Sequence, residues 1–160
     1  MDKINEILKN KKYIECLNEI EKLEKDRKFC RHNMNHFLDV ARIAYILVLE
    51  KGLNYSKDVI YAVGLLHDIG RGEEYKTGVN HDDASAEIAE EILRETSYTD
   101  DEKKIILKAI LSHGTDGSED EFQDIIYKSD KLSRNCFKCH AEKECYWSKE
   151  KKNMIIKYWC

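Results

Sequence analysis

Nowhere among its 160 residues does the chain carry a proline. Proline is the strongest helix breaker, because its ring fixes φ and removes an N–H donor. Its absence leaves long helices open to nearly every segment. Seven glycines do the punctuating instead, and several fall where an amphipathic stripe runs out. No stretch shows the sustained period-two alternation of a half-buried strand. An all-α fold follows. The length is about that of one domain and suffices to bury a core without cross-links.

The apolar spacing predicts the helices. Residues 2–27 carry Ile4, Ile7, Leu8, Ile14, Leu17, Ile20 and Leu23 at helical intervals, with Lys and Glu on the other face. A second helix is expected from about Met34 to Lys51, ended by Gly52, with later turns apolar nearly all round, as in a central buried helix. Ser56 is a plausible N-cap for a third, which Gly70 and Gly72 end. Residues 71–80 read as a loop rich in glycine and charge, followed by a helix holding Ala84, Ile88 and Ile92. Thr99 with Glu102 three residues on forms a capping-box pattern, and Gly114 ends the helix it opens. A last helix is expected from near Ser118 to Leu132, before a Cys-rich, aromatic tail from Asn135 to Cys160.

Composition narrows the function classes. A net charge of -4 argues against a general nucleic-acid binder, which shows a basic face. It leaves room for a small anionic ligand, because a bound metal inverts the local field. There is no apolar run long enough to span a bilayer. The charged, periodic N-terminus lacks the apolar core of a signal peptide, so a cytoplasmic location is the default expectation. There the six cysteines do not read as a disulfide framework.

Six residues stand out: His36, His67, Asp68, His81, His113 and Asp130. His36 shares a stripe with Val40, Ile43 and Leu47; His67 follows Val63 by four; His81 precedes Ala84 by three; His113 follows Ala109 by four; Asp130 follows Ile126 by four. Each therefore points to the side its helix buries, and most lie near a helix end. One histidine in phase with a core is ordinarily a packed core residue. Five helices each contributing such a group is a different matter, since buried charge is costly unless paired or bound to metal. Imidazole with carboxylate suits several divalent metals, and six groups suffice for two ions with positions left open.

The order of these residues resembles the HD superfamily of metal-dependent phosphohydrolases. The resemblance covers about residues 31–134 and rests on His36 followed by Val40-Ala41, on Leu65-Leu66-His67-Asp68-Ile69-Gly70, and on Ser129-Asp130-Lys131-Leu132. It implies a single helical bundle over 1–160 of about six to eight helices, with a core at 31–134, an N-terminal helix at 1–28 packing on it, and the tail at 135–160. It also implies that His36, His67 and Asp130 hold one divalent ion, that His81 and His113 hold a second, and that Asp68 bridges the two, as in the family's binuclear branches. A metal-activated water would then attack a phosphoester or phosphoanhydride of a nucleotide or other small phosphorylated molecule. Ligand type does not separate Fe, Mn, Zn, Co, Ni or Mg. HD-GYP-type members carry a lysine after the His-Asp-x-Gly run; here Arg71 stands there, able to clamp a phosphate in a bidentate manner. Arg71 is thus a catalytic candidate beside Asp68. No nucleic-acid or membrane partner is expected, and an oligomer is compatible with the sequence.

Other residues compete for roles. His32 lies one turn before His36 and reads as a supporting or helix-start residue. Arg31 is either a phosphate contact or a surface group. Asp82 and Asp83 suit the first turn of a helix, where the macrodipole favours acids. Lys131 is a candidate pocket residue, His140 a surface one, and Trp147 and Trp159 read as covers for the core. Cys136-x2-Cys139 and Cys145, with Cys30 or His140 as a fourth ligand, fit a structural zinc or iron–sulfur site, plain packing thiols, or a redox disulfide. Two alternatives to hydrolysis stand: a mixed-valent di-iron oxygenase, which the superfamily also includes, and a non-catalytic nucleotide-binding module.

Overall fold

A computed structural model describes residues 2–114 and 120–156. Among them lie eight α-helices and two 3-10 turns, and no strand. The helices are α1 (Asp2–Lys9), α2 (Lys11–Leu23), α3 (Met34–Glu50), α4 (Lys57–Leu66), α5 (Arg71–Thr77), α6 (His81–Arg94), α7 (Asp100–Ser112) and α8 (Glu121–Leu132). The all-α expectation holds.

Local chemistry sets most boundaries. Ser56 accepts from the Val59 N–H and opens α4, and Thr99 and Glu102 form the full capping box of α7. Gly52 takes φ 65 just past α3, a conformation that suits glycine.

Three expectations need correction. The N-terminal segment is two helices rather than one, because Asn10 leaves helical geometry (φ -66, ψ 130) and caps α2 through the Tyr13 N–H. Residues 71–77 form α5 rather than a loop: Gly70 keeps a right-handed conformation (φ -84, ψ -1), so the chain turns straight into a new helix that ends at Gly78, φ 78. α3 is not enclosed all round, since Ile46 and Leu49 are exposed. Ser118 lies outside the described residues; Asp120 caps α8, accepting from the N–H groups of Phe122 and Gln123.

α3 is the centre, packed against α4 and α8, while α7 lies against α4, α6 and α8. Tyr13, Phe37, Ile60, Leu65, Leu66, Ile92, Ile106 and Ile110 are fully buried in the shared core. Two glycines permit close approaches. A Cβ on Gly64 would lie 2.8 Å from the Ala41 backbone nitrogen, so α3 and α4 meet nearly backbone to backbone. A Cβ on Gly70 would lie 2.3 Å from the Ser85 nitrogen; instead the Gly70 N–H donates to Ser85 Oγ at 2.8 Å, pinning α6 beside the end of α4. After α8 the chain makes its two 3-10 turns and returns to Asn153. The Asn153 side chain donates to the carbonyls of Lys131 and Arg134 at 2.6 and 3.0 Å.

Candidate metal centre

The bundle brings five helix ends to one place. His36 is in the first turn of α3 and His81 is the first residue of α6, whereas His67 and His113 follow the last turns of α4 and α7, and Asp130 lies in the last turn of α8. Caps fix the first two: Asn33 accepts from the His36 N–H at 3.1 Å, and Asn80 accepts from the neighbouring Asp82 N–H at 2.7 Å.

Asp68 is at the middle and 1% exposed. Its Oδ2 faces His67 Nε2 at 3.2 Å and His36 Nε2 at 3.6 Å; its Oδ1 faces His113 Nε2 at 3.5 Å and His81 Nε2 at 3.6 Å. Two donor sets result, His36–His67–Asp68–Asp130 and Asp68–His81–His113, each with its ligand atoms within 4.8 Å of one another. All six residues singled out from the sequence are therefore in one cluster.

The rings are held in the tautomer a metal needs. His67 Nδ1 bonds the Gly64 carbonyl at 2.9 Å and His113 Nδ1 bonds the Ile110 carbonyl at 2.6 Å. A carbonyl only accepts, so each Nδ1 carries the proton and each Nε2 offers a lone pair. Ser133 Oγ donates to the Asp130 carbonyl at 2.6 Å and so accepts from His36 Nδ1 at 3.0 Å. Buried and without a hydrogen-bond partner remain His67 Nε2, His113 Nε2 and Asp82 Oδ1. Buried polar atoms rarely go unsatisfied. Inward-facing lone pairs beside carboxylates are the donor set of a divalent cation, so the residues present fit the metal.

Electrostatics agree. Burial alone would raise the Asp68 carboxyl, but positive charge and N–H groups on His67, His113, His32 and His36, when these are protonated, hold it well below the carboxylate range. Asp130 is likewise held low, because Arg134 and Lys131 outweigh its burial. Burial pushes His36 down to about 4, so its imidazole is neutral and available near neutral pH.

Sequence does not assign Asp82, Arg134 and Glu24 to the site, whereas it singles out Arg71 and Lys131 as pocket residues. Asp82 does occupy the first turn of α6, yet its Oδ1 lies 2.9 Å from His81 Nε2 and 3.3 Å from His113 Nε2. Arg134 Nη2 donates to His36 Nε2 at 3.1 Å and Asp130 Oδ1 at 3.2 Å. The buried Glu24, at the end of α2, accepts from both the backbone and the ring Nδ1 of His32, and His32 Nε2 lies 3.6 Å from Asp68 Oδ2. Arg71 Nε donates to Asp68 Oδ1 at 2.8 Å and its Nη1 to Glu74 at 2.8 Å. Lys131 reaches Asp130 Oδ2 at 2.7 Å, whereas Arg31 is turned away to the Lys25 carbonyl and His140 is exposed.

A cavity of about 510 Å³ adjoins the cluster at Asp130, with His32, Arg71 and Arg134 beside it. Arg27, Arg71, Lys128, Lys131, Arg134 and Lys151 are in its walls, with Trp147. Trp147 thus faces the cavity rather than covering the core; Trp159 lies outside the described residues.

A profile of the HD domain matches residues 33–135, the stretch that holds all six clustered residues. The chain belongs to the HD domain family. Among relatives of this HD domain, an uncharacterized protein of Clostridium beijerinckii is 46% identical over 158 residues, covering 99% of this chain and all of that one. Ribonuclease Y of Mycoplasma mycoides subsp. mycoides SC is 31% identical over 121 residues, which is 75% of this chain but 22% of that protein. The fold is similar to the crystal structure of a predicted HD superfamily hydrolase from an uncultured Thermotogales bacterium. The TM-score is 0.62 at 26% identity, over 88% of this chain and 81% of the other. No helix among the described residues is long and apolar enough to cross a membrane.

Proposed function

We propose that this HD domain is a binuclear, metal-dependent phosphohydrolase that cleaves a phosphoester or phosphoanhydride of a nucleotide or similar small molecule. The observation that carries the reading is the division of Asp68: one carboxylate oxygen faces His36 and His67, and the other faces His81 and His113. Divalent ions in such a pair of sites supply an activated water and neutralise phosphate charge. The chain's own groups do the rest. His67 and His113 present fixed lone pairs, and Asp68 ties the two donor sets together. Arg71 bonds Asp68 on one side and stands in the cavity wall on the other, placed to clamp a phosphate oxygen.

The cavity supports an anionic substrate. Its basic walls contrast with the chain's net charge of -4, and a concentrated local field of one sign draws a ligand of the other. Its volume falls within the usual range for a small-molecule site, about 300–1,000 Å³. Trp147 offers a face on which a base can stack. The similarity to Ribonuclease Y is compatible with a phosphodiester as the bond cleaved.

The test is turnover of purified protein loaded separately with Mn, Fe, Co and Zn against nucleotides, dinucleotides, aryl phosphates and a short RNA. Hydrolysis of a small phosphate, lost in Asp68→Asn, is expected. No turnover in protein shown to hold metal overturns hydrolysis, as does oxygen consumption by the iron-loaded form in its place. Cleavage of RNA alone overturns the small-molecule substrate.

A further inference from the structure

The segment after α8 is held mainly by polar contacts and buries little apolar surface. Between residues 135 and 146 it forms two single 3-10 turns and buries only Cys136 and Ala141, while Phe137 and Tyr146 are 47% and 85% exposed. So small an apolar contribution calls for a staple. Three cysteines sit at its turns. Cys136 opens the first turn, Cys139 closes it, and Cys145 closes the second in nearly the same backbone conformation (φ -77, ψ 124 and φ -70, ψ 132).

A fourth cysteine is brought to them from the other end of the chain. Lys28 pairs with Glu144, Phe29 meets Tyr146 edge to face at 6.5 Å, and Arg134 Nη1 donates to the Arg31 carbonyl at 3.3 Å. Cys30 sits between these contacts. It shares one cavity wall with Cys145 and another with Cys136 and Cys139. All four are free thiols. Burial raises the Cys30 thiol, and the charges of Cys136, Cys139 and Cys145 raise it further, although Arg134 opposes them. Four sulfurs brought together from two ends of the chain are a ligand set for a metal centre, which they would bind as thiolates.

The spacing narrows the choice of cation. Zinc–sulfur bonds of about 2.3 Å in a tetrahedron put the sulfurs about 3.8 Å apart. Among the described residues, the donor sets of three or more within 4.8 Å of one another contain no cysteine. A cluster several atoms across holds its four thiolates more widely than a single ion does. We propose that Cys30, Cys136, Cys139 and Cys145 hold a four-iron, four-sulfide cluster, a metal centre separate from the histidine–aspartate site. It fastens the segment that carries Trp147 and Lys151 to the loop before α3, and so holds one wall of the cavity.

The test is iron and acid-labile sulfide in the full-length chain, purified without oxygen and reconstituted with ferrous iron and sulfide. Iron at the histidine–aspartate site brings no sulfide, so sulfide reports the cluster alone. About four sulfides per chain and a broad visible absorption are expected. Alanine at Cys30, Cys136, Cys139 or Cys145 should cut sulfide to below about one per chain, with helical circular dichroism retained, while Cys16→Ala and His67→Ala keep it. A wild-type chain that takes up no sulfide, or holds one zinc there instead, overturns the proposal whether or not the variants fold.

Discussion

Asp82 shows how a small group shapes the site. Its carboxylate lies within 3.3 Å of two imidazole nitrogens, with one buried oxygen lacking a hydrogen-bond partner. An ion held by His81 and His113 would satisfy that oxygen. Groups supporting a metal are typically worth about 10- to 100-fold in affinity. Asp82→Asn should weaken binding of the second ion by that factor in a metal titration, leaving the first nearly unchanged. Glu24 is a separate case. Burial opposes its ionisation, yet hydrogen bonds from His32 and Tyr75 bring its carboxyl from an ordinary 4.5 to about 2. A lowered acid stabilises the fold fully above the unfolded value and loses that contribution as pH falls through the folded one. The gap in urea midpoint between wild type and Glu24→Gln should therefore be widest above pH 4.5 and narrow as pH falls toward 2. The clustered histidines were legible in the sequence because phase against the core and the ordered His, His-Asp, Asp series point the same way. Asp82 was not, because an acid in a helix's first turn already has a sufficient explanation in the macrodipole. Glu24 and Arg134 were hidden for another reason. Tyr75 meets Glu24 and His36 meets Arg134 from across the fold, which no spacing along the chain reports; only the pairing of Arg134 with Asp130, four residues earlier, was readable.

The helices were legible wherever a cap or a stripe was strong. Ser56, Thr99 and Gly52 mark boundaries that the structure keeps. The missed boundaries are those where one residue served two readings. Asn10 fits a polar helix face as well as a cap, and Gly70 reads as a stop yet starts α5. The close packing of α3 on α4 was also unreadable, since it depends on which residue Gly64 faces. That contact makes a prediction at this scale. A methyl on Gly64 would meet Ala41 Cβ at 2.6 Å and its Cα at 2.8 Å, and neither helix has a flexible side chain there to yield. Gly64→Ala should lower stability by about 3 kcal/mol in denaturant unfolding, the upper end of the usual cost of overpacking. It should also shift His67, whose ring leans on the Gly64 carbonyl.

For the molecule as a whole, the cluster couples metal binding to folding, because its donors come together only in the folded bundle. Asp68 carries its charge in a buried place, and the rings of His36, His67 and His113 pack edge to face around it, with successive centroids 5.2 Å apart. An ion that binds only the folded chain stabilises it by about 2.7 kcal/mol at a hundred times its dissociation constant. For a chain of this size that is about 5–10 °C in melting temperature. Stripping divalent metal with a chelator should lower the melting temperature by that amount, and readdition should restore it. An unchanged melting curve would show that the donors hold no ion in the folded state.

The helix ends that converge on Asp68 also set an order in time. α3 and α4 leave the ribosome long before α8, so His36, His67 and Asp68 are made without Asp130. Synthesis at about 5–20 residues per second leaves that partial set exposed for several seconds. A nascent or truncated chain lacking α8 offers three of the four donors in a site still open to water. Tight capture of an ion would then wait for the last helix to dock, and metal content would report whether the bundle has been completed.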